Sequence, residues 1–166
     1  MNETKTPAAT PSADLNREIL RLDNQLCFAL YSASGRMTRA YRALLEPLGL
    51  TYPQYLVMMC LWEQAPRTVK AIGEAVGLET GTLTPLLKRL EAAGAITRRR
   101  DTEDERRVIV GLTPAGDILR DRATAVPRAF YAKLNTPFPD ISSLTKALKG
   151  LSRNMAQIEP DTPSKT

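Results

Sequence analysis

"GTLTPLLKRLEAAGAITRRRDTEDERRVIVGLT", residues 81–113, changes its hydrophobic period partway through. Leu83, Leu86, Leu87 and Leu90 fall at i, i+3, i+4 and i+7, one face of an α-helix, with Lys88 and Arg89 on its outer side. Gly94 is where such a helix stops. Pro85 fits the helix provided that it lies within about the first turn, where its missing N–H has no helical partner. After Gly94 the spacing becomes that of strands: Val108, Val110 and Leu112 alternate with Ile109 and Gly111, behind a basic strand and a polar turn at about Asp101 to Glu105.

Upstream, "TVKAIGEAV" at 68–76 predicts a short helix with Thr68 at its cap and Val69, Ile72 and Val76 inward, followed by a turn at "GLET". "TYPQYLVMMCLWEQ", 51–64, opens with Thr51 as a cap and continues as a nearly all-apolar helix that belongs at the centre of the fold. Cys60 sits in that run and reads as a buried apolar residue. Between Asp14 and Leu48, residues Ile19, Leu22, Leu26, Leu30, Met37, Leu44 and Leu48 form the stripe of one long amphipathic helix, ended by Pro47 and Gly49. That stripe is longer than a domain of this size needs for its own core, so a partner subunit is expected to cover it. Gly35 weakens it by about 1 kcal/mol relative to Ala.

Downstream, Thr113 caps a helix with Pro114 at its first position, and Pro127 kinks or breaks it. A last helix spans about Ile141 to Ile158, with Leu144, Leu148, Leu151 and Met155 inward. The expected fold is therefore mainly α with a small β-hairpin: one domain over 14–158, with a winged helix-turn-helix at about 51–113. The helices at about 14–48 and 114–158 serve dimerisation, and the polar ends 1–13 and 159–166 are disordered tails.

Composition excludes much chemistry. The 166 residues contain no histidine, so a Ser-His-Asp or Cys-His apparatus is impossible. Nothing clusters into a metal site, and no cofactor is expected. The two cysteines, Cys27 and Cys60, form neither a disulfide framework nor a CxxC pair. With no secretory signal and no apolar run of the ~18 residues that a membrane span needs, a cytoplasmic chain with free thiols is expected. The formal charge of +5 and the pI near 9.4 suit an anionic partner.

Helix, turn, helix and basic hairpin supply what duplex DNA requires: a helix for the major groove and a wing for the adjacent minor groove. On the second helix the non-core residues Thr80, Thr82, Thr84, Lys88 and Arg89 offer hydroxyls and cations to phosphates and base edges. The same residues also suit a plain solvated face. In the hairpin, Arg98, Arg99, Arg100, Arg106 and Arg107 lie on the arms, while Asp101, Glu103, Asp104 and Glu105 crowd the turn. So many acids argue against simple electrostatic attraction. An arginine oriented by a neighbouring carboxylate suits a narrow, strongly negative minor groove, and Arg106 with Asp104 is the favoured pair.

The segment from about Leu50 to Thr113 resembles the winged helix-turn-helix of MarR-type bacterial transcription regulators, and "DERRV" is similar to that family's wing pattern. "LDNQLCFALYSAS", "LGLTYPQYLVM", "GTLTPLLKRLEAAG" and "DERRVIVGLT" resemble the family's organic-hydroperoxide-sensing branch, in its order and spacing. By itself, a lone cysteine near the apolar face of a helix is more simply packing than chemistry. The resemblance implies otherwise: Cys27 matches the branch's sensor cysteine, whose thiolate attacks the peroxide O–O bond and becomes a sulfenic acid. Tyr41 and Tyr52 match two tyrosines that bond this sulfur from the partner subunit, and Tyr31 matches a third nearby. A cap at Asp23 would put Cys27 near the positive end of a helix, although Asp23 is itself an opposing charge.

The chain has no cysteine after Cys60, so it resembles the one-cysteine members, in which a small-molecule thiol captures the sulfenic acid or oxidation proceeds further. What the resemblance implies is a homodimeric repressor, not an enzyme. It binds double-stranded DNA at a pseudo-palindromic operator and releases it when an organic hydroperoxide oxidises Cys27. Two other readings stand beside it: a repressor released by a reversibly bound phenolic ligand, and a thiol peroxidase, for which a resolving cysteine is missing.

Overall fold

The computed structural model describes residues 18–134 and 136–158. The central helix α2 (Tyr52–Glu63) buries Tyr55, Val57, Met58, Cys60, Leu61 and Trp62, as its apolar run predicts. Thr51 and Gln54 close its N-terminus as a capping box, with the Thr51 backbone N–H donating to Gln54 Oε1 at 2.9 Å. Preceding it, α1 (Leu26–Leu45) buries only Tyr41 and Leu45. The expectation of one helix from Asp14 is corrected over the described residues. A turn of 3₁₀ helix at Leu22–Asn24 interrupts the chain, and Gln25, not Asp23, stands at the N-cap of α1. The expected tails at 1–13 and 159–166 lie outside the described residues.

Helix α3 (Val69–Val76) starts where Thr68 Oγ1 accepts the Ala71 N–H at 3.1 Å and ends at Gly77, whose φ of 67° is left-handed. Helix α4 (Thr80–Ala92) follows, with Leu83, Leu87 and Leu90 buried. Here Pro85 falls in the sixth position, beyond the first turn where it was expected. The N–H that would bond the Gly81 carbonyl is thereby absent.

The hairpin forms from β2 (Ile96–Arg100) and β3 (Val108–Leu112), paired antiparallel with Ile96 opposite Leu112 and Arg100 opposite Val108. A third strand escaped the sequence: β1 (Arg67–Thr68) pairs with the other edge of β3, giving the order β1-β3-β2. Two residues are too few for a period of 2 to register.

Helix α5 (Pro114–Ala123) begins at Pro114, and Thr113 Oγ1 accepts the Gly116 N–H at 2.9 Å, the expected cap. Gly116 packs where no side chain fits: an added Cβ would lie 1.8 Å from the Ala95 carbonyl oxygen. Its own carbonyl accepts the Trp62 indole N–H at 2.9 Å, locking α5 onto the central helix. Arg122 donates to the Pro47 carbonyl at 2.6 Å, tying α5 to the segment after α1.

The chain divides into two compact units, one ending at Ala123 and one beginning at Thr124. The second contains α6 (Ala125–Leu134) and α7 (Phe138–Met155). The break expected at Pro127 comes at Thr124, which leaves Pro127 in the first turn of α6. On α7, which starts three residues before Ile141, Leu144, Leu148 and Met155 are exposed instead of inward.

Candidate nucleic-acid interface and thiol site

Helices α3 and α4 and the wing enclose a groove of about 640 Å³ whose lining includes Lys70, Thr80, Thr84, Arg98, Arg106 and Arg107. Of the residues predicted to face DNA, Thr80, Thr84 and Arg106 are thus brought together. Thr82, Lys88 and Arg89 lie outside that lining on the exposed surface of α4. The Thr84 hydroxyl donates to the Thr80 carbonyl at 2.8 Å, which leaves its lone pairs to accept. Opposite the buried leucines of α4 stand Gly81, Pro85 and Lys88, and a Cβ added at Gly81 would meet nothing within 4 Å.

Arg106 and Arg107 are not on a strand arm, because β3 begins only at Val108. Arg106 belongs to the loop between β2 and β3, in a turn closed by the Arg107 N–H donating to the Asp104 carbonyl at 2.8 Å. Asp104 Oδ1 accepts both the backbone N–H of Arg106 at 3.1 Å and its Nε at 3.2 Å. The carboxylate therefore orients the arginine, and the Arg106 side chain remains 91% exposed. Arg107 pairs with Asp101 at 3.6 Å. Lys70 was missed by the sequence reading. Its signal was available, because a lysine in the first turn of a helix opposes the macrodipole.

Cys27 occupies the second position of α1 and is exposed. Tyr31, one turn further, is 78% exposed, and Leu22, Leu26 and Phe28 around it are exposed as well. Tyr41 and Tyr52 meet in one chain, with ring centroids 4.8 Å apart, and Tyr55 extends the cluster at 6.2 Å from Tyr41. Cys27 and Tyr41 stand fourteen positions apart on one continuous helix, a rise of about 21 Å at ~1.5 Å per residue. Within a chain the thiol and Tyr41 therefore stand apart. Beside the pair, a cavity of about 500 Å³ is lined by Thr38, Arg42, Glu46, Leu50, Thr51 and Tyr52, among others.

Cys60 is different in kind. It is buried on α2, and burial pushes its thiol up, with Arg67 lowering it and Glu63 raising it to lesser extents. A thiol so held is a poor nucleophile at neutral pH.

Comparison with known proteins identifies the family that shares the helix-turn-helix and wing. The MarR family model matches residues 50–108. The chain is 44% identical over 138 residues to the organic hydroperoxide resistance transcriptional regulator of Bacillus subtilis (strain 168), covering 83% of this chain and 94% of that protein. Reduced AbfR bound to DNA superposes with a TM-score of 0.75 at 36% identity, over 86% of this chain and 98% of that one. Overoxidised AbfR bound to DNA gives 0.66 at 39% identity, over 82% and 98%. With a helix-turn-helix and wing in the matched segment and a full-length relative at this identity, the chain belongs to the MarR family.

Proposed function

We propose that this protein is a homodimeric, cytoplasmic transcriptional repressor that binds a pseudo-palindromic operator while Cys27 is reduced and leaves it when an organic hydroperoxide oxidises Cys27. The Cys27 thiolate attacks one peroxide oxygen, the O–O bond breaks, and the departing alkoxide takes a proton to become an alcohol. Cys27 is left as a sulfenic acid. A small-molecule thiol then displaces hydroxide from that sulfur, giving a mixed disulfide and water. Each oxidation event switches the protein, so it does not act as an enzyme.

Tyr41 and Tyr52 of one subunit donate hydroxyl hydrogen bonds to the Cys27 thiolate of the other, with Tyr31 beside it. Altering that sulfur changes the packing between subunits, and with it the spacing of the two α4 helices. Half-sites about one helical turn apart, ~34 to 36 Å, tolerate little such change. On DNA, Thr80, Thr82, Thr84, Lys88 and Arg89 serve the major groove, and Arg106, oriented by Asp104, the minor groove.

The observation that carries this reading is one exposed thiol opening α1 in a chain 44% identical to a regulator of organic hydroperoxide resistance. The test is an operator-release titration with cumene hydroperoxide on wild type, Cys27→Ser and Cys60→Ser. Wild type and Cys60→Ser should be released and Cys27→Ser should stay bound. Release of Cys27→Ser by the peroxide would refute the sensor role, and its release by a phenol alone would favour a reversibly bound ligand.

A further inference from the structure

The end of α4 and the first wing strand are held together by one pair of side chains. Glu91 Oε1 accepts the backbone N–H of Arg98 at 3.1 Å, while Glu91 Oε2 accepts its Nε at 2.9 Å and its Nη2 at 2.5 Å. Charge-assisted bonds of this kind are shorter and roughly twice as strong as neutral ones. The other ion pairs among the described residues span 3.2 to 3.9 Å. Both partners of this one are partly covered, Arg98 at 24% and Glu91 at 36% exposure.

Arg98 lines the groove between α4 and the wing, yet its guanidinium is committed to Glu91. It sits opposite Val110 in the middle of the hairpin, which carries Arg106 at its far end. A hairpin is a lever: a small rotation at its base displaces its tip, and Arg106 must reach one groove while α4 occupies the next.

We propose that Glu91 and Arg98 are positioning residues for DNA binding, a clasp that sets where the wing's Arg106 stands relative to α4 so that both engage one duplex together. This inference rests on the DNA-binding reading above. It makes a prediction opposite in sign to simple electrostatics. Removing an acid from this face reduces repulsion of phosphate and releases a cation, which alone would leave binding unchanged or strengthen it. A clasp predicts that binding weakens.

The probe is a duplex that the wild-type protein selects from a randomised library. Glu91→Ala should bind it about tenfold more weakly while keeping a cooperative thermal transition, and Glu91→Gln, which still accepts one bond, should fall between. Arg98→Lys keeps the charge but loses the fork, and should weaken binding in the same direction should Glu91→Ala fail to fold. In an Arg106→Ala background the added loss from either clasp variant should nearly vanish, because the contact it positions is already gone. If wild type selects no sequence, the DNA-binding reading fails and this inference with it. A folded Glu91→Ala or Arg98→Lys that binds the selected duplex as tightly as wild type, or a loss fully additive with Arg106→Ala, would overturn the clasp alone.

Discussion

The two cysteines show how one residue type takes two roles. Cys27 is exposed on the first turn of α1, whereas Cys60 is buried in α2 and its thiol is pushed up by desolvation. Labelling with a thiol reagent at pH 7.5 should therefore modify Cys27 in the native protein and reach Cys60 only on unfolding. Rapid native labelling of Cys60 would contradict its burial. Cys60→Ser should cost about 1 to 3 kcal/mol in a denaturant titration, because a buried hydroxyl replaces an apolar sulfur. Arg106→Ala should weaken operator binding by about 1 to 3 kcal/mol and leave the oxidation rate of Cys27 intact. Unchanged affinity at physiological salt would reduce Arg106 to a surface ion pair. Asp104 and Arg106 were nameable from the charge spacing of the hairpin, whereas Cys27, Tyr41 and Tyr52 were named only through the family resemblance. Lys70 and Arg107 entered the groove lining only with the structure, because their neighbours come from other elements.

At the scale of elements, the α4 to β2 junction makes stability depend on pH. The hydrogen bond from Arg98 is the main reason that the Glu91 carboxyl is held below the usual glutamate range, with opposing desolvation and the Arg98 charge following. A depressed carboxylate contributes stability that is fully present above its unfolded value, about 4.3, and is lost as pH falls through the folded one. The difference in Tm between wild type and Glu91→Ala should thus be constant from pH 7 to about 5 and shrink on further acidification. A difference that persists to the lowest pH at which both fold would show that the carboxylate charge is not involved. Two glycines make the complementary contrast. Gly116→Ala would force a methyl to 1.8 Å from the Ala95 carbonyl oxygen and should cost about 3 kcal/mol or more. Gly81→Ala meets nothing within 4 Å and should stabilise α4 by about 0.4 to 1 kcal/mol in the same thermal assay.

For the whole molecule, the exposed apolar residues are the telling feature. Leu22, Leu26 and Phe28 in the first unit, and Leu144, Leu148 and Met155 in the second, are exposed on the single chain. The protein should sediment as a dimer at micromolar concentration; a monomer there would remove the partner that the thiol chemistry needs. A mixed dimer tests that chemistry directly. With Cys27→Ser in one chain and Tyr41→Phe plus Tyr52→Phe in the other, the only sensor thiol lies on the Phe-bearing chain and faces the partner's intact tyrosines. With all three changes in one chain, the remaining thiol faces rings without hydroxyls. Oxidation at neutral pH should be slower in the second arrangement, because a less stabilised thiolate is less populated. Equal rates would return Tyr41 and Tyr52 to packing.

The sequence by itself determined the order of helices and the caps at Thr51, Thr68 and Thr113, because each follows from residues within a few positions along the chain, and it determined the hairpin because the change from a helical to an alternating period is read along each strand. It also placed Asp104 two residues before Arg106, a spacing short enough for the carboxylate to reach the arginine without help from elsewhere. Tertiary structure decided what depends on residues far apart in the chain. The strand β1 exists only because β3 offers an edge, the sixth-position Pro85 became visible only when α4 was seen to begin at Thr80, and the Glu91–Arg98 clasp needed the chain to turn back at Gly94. The separation of Cys27 from Tyr41 likewise required knowing that α1 runs unbroken through Gly35, since a bend there would have let the two meet within one chain.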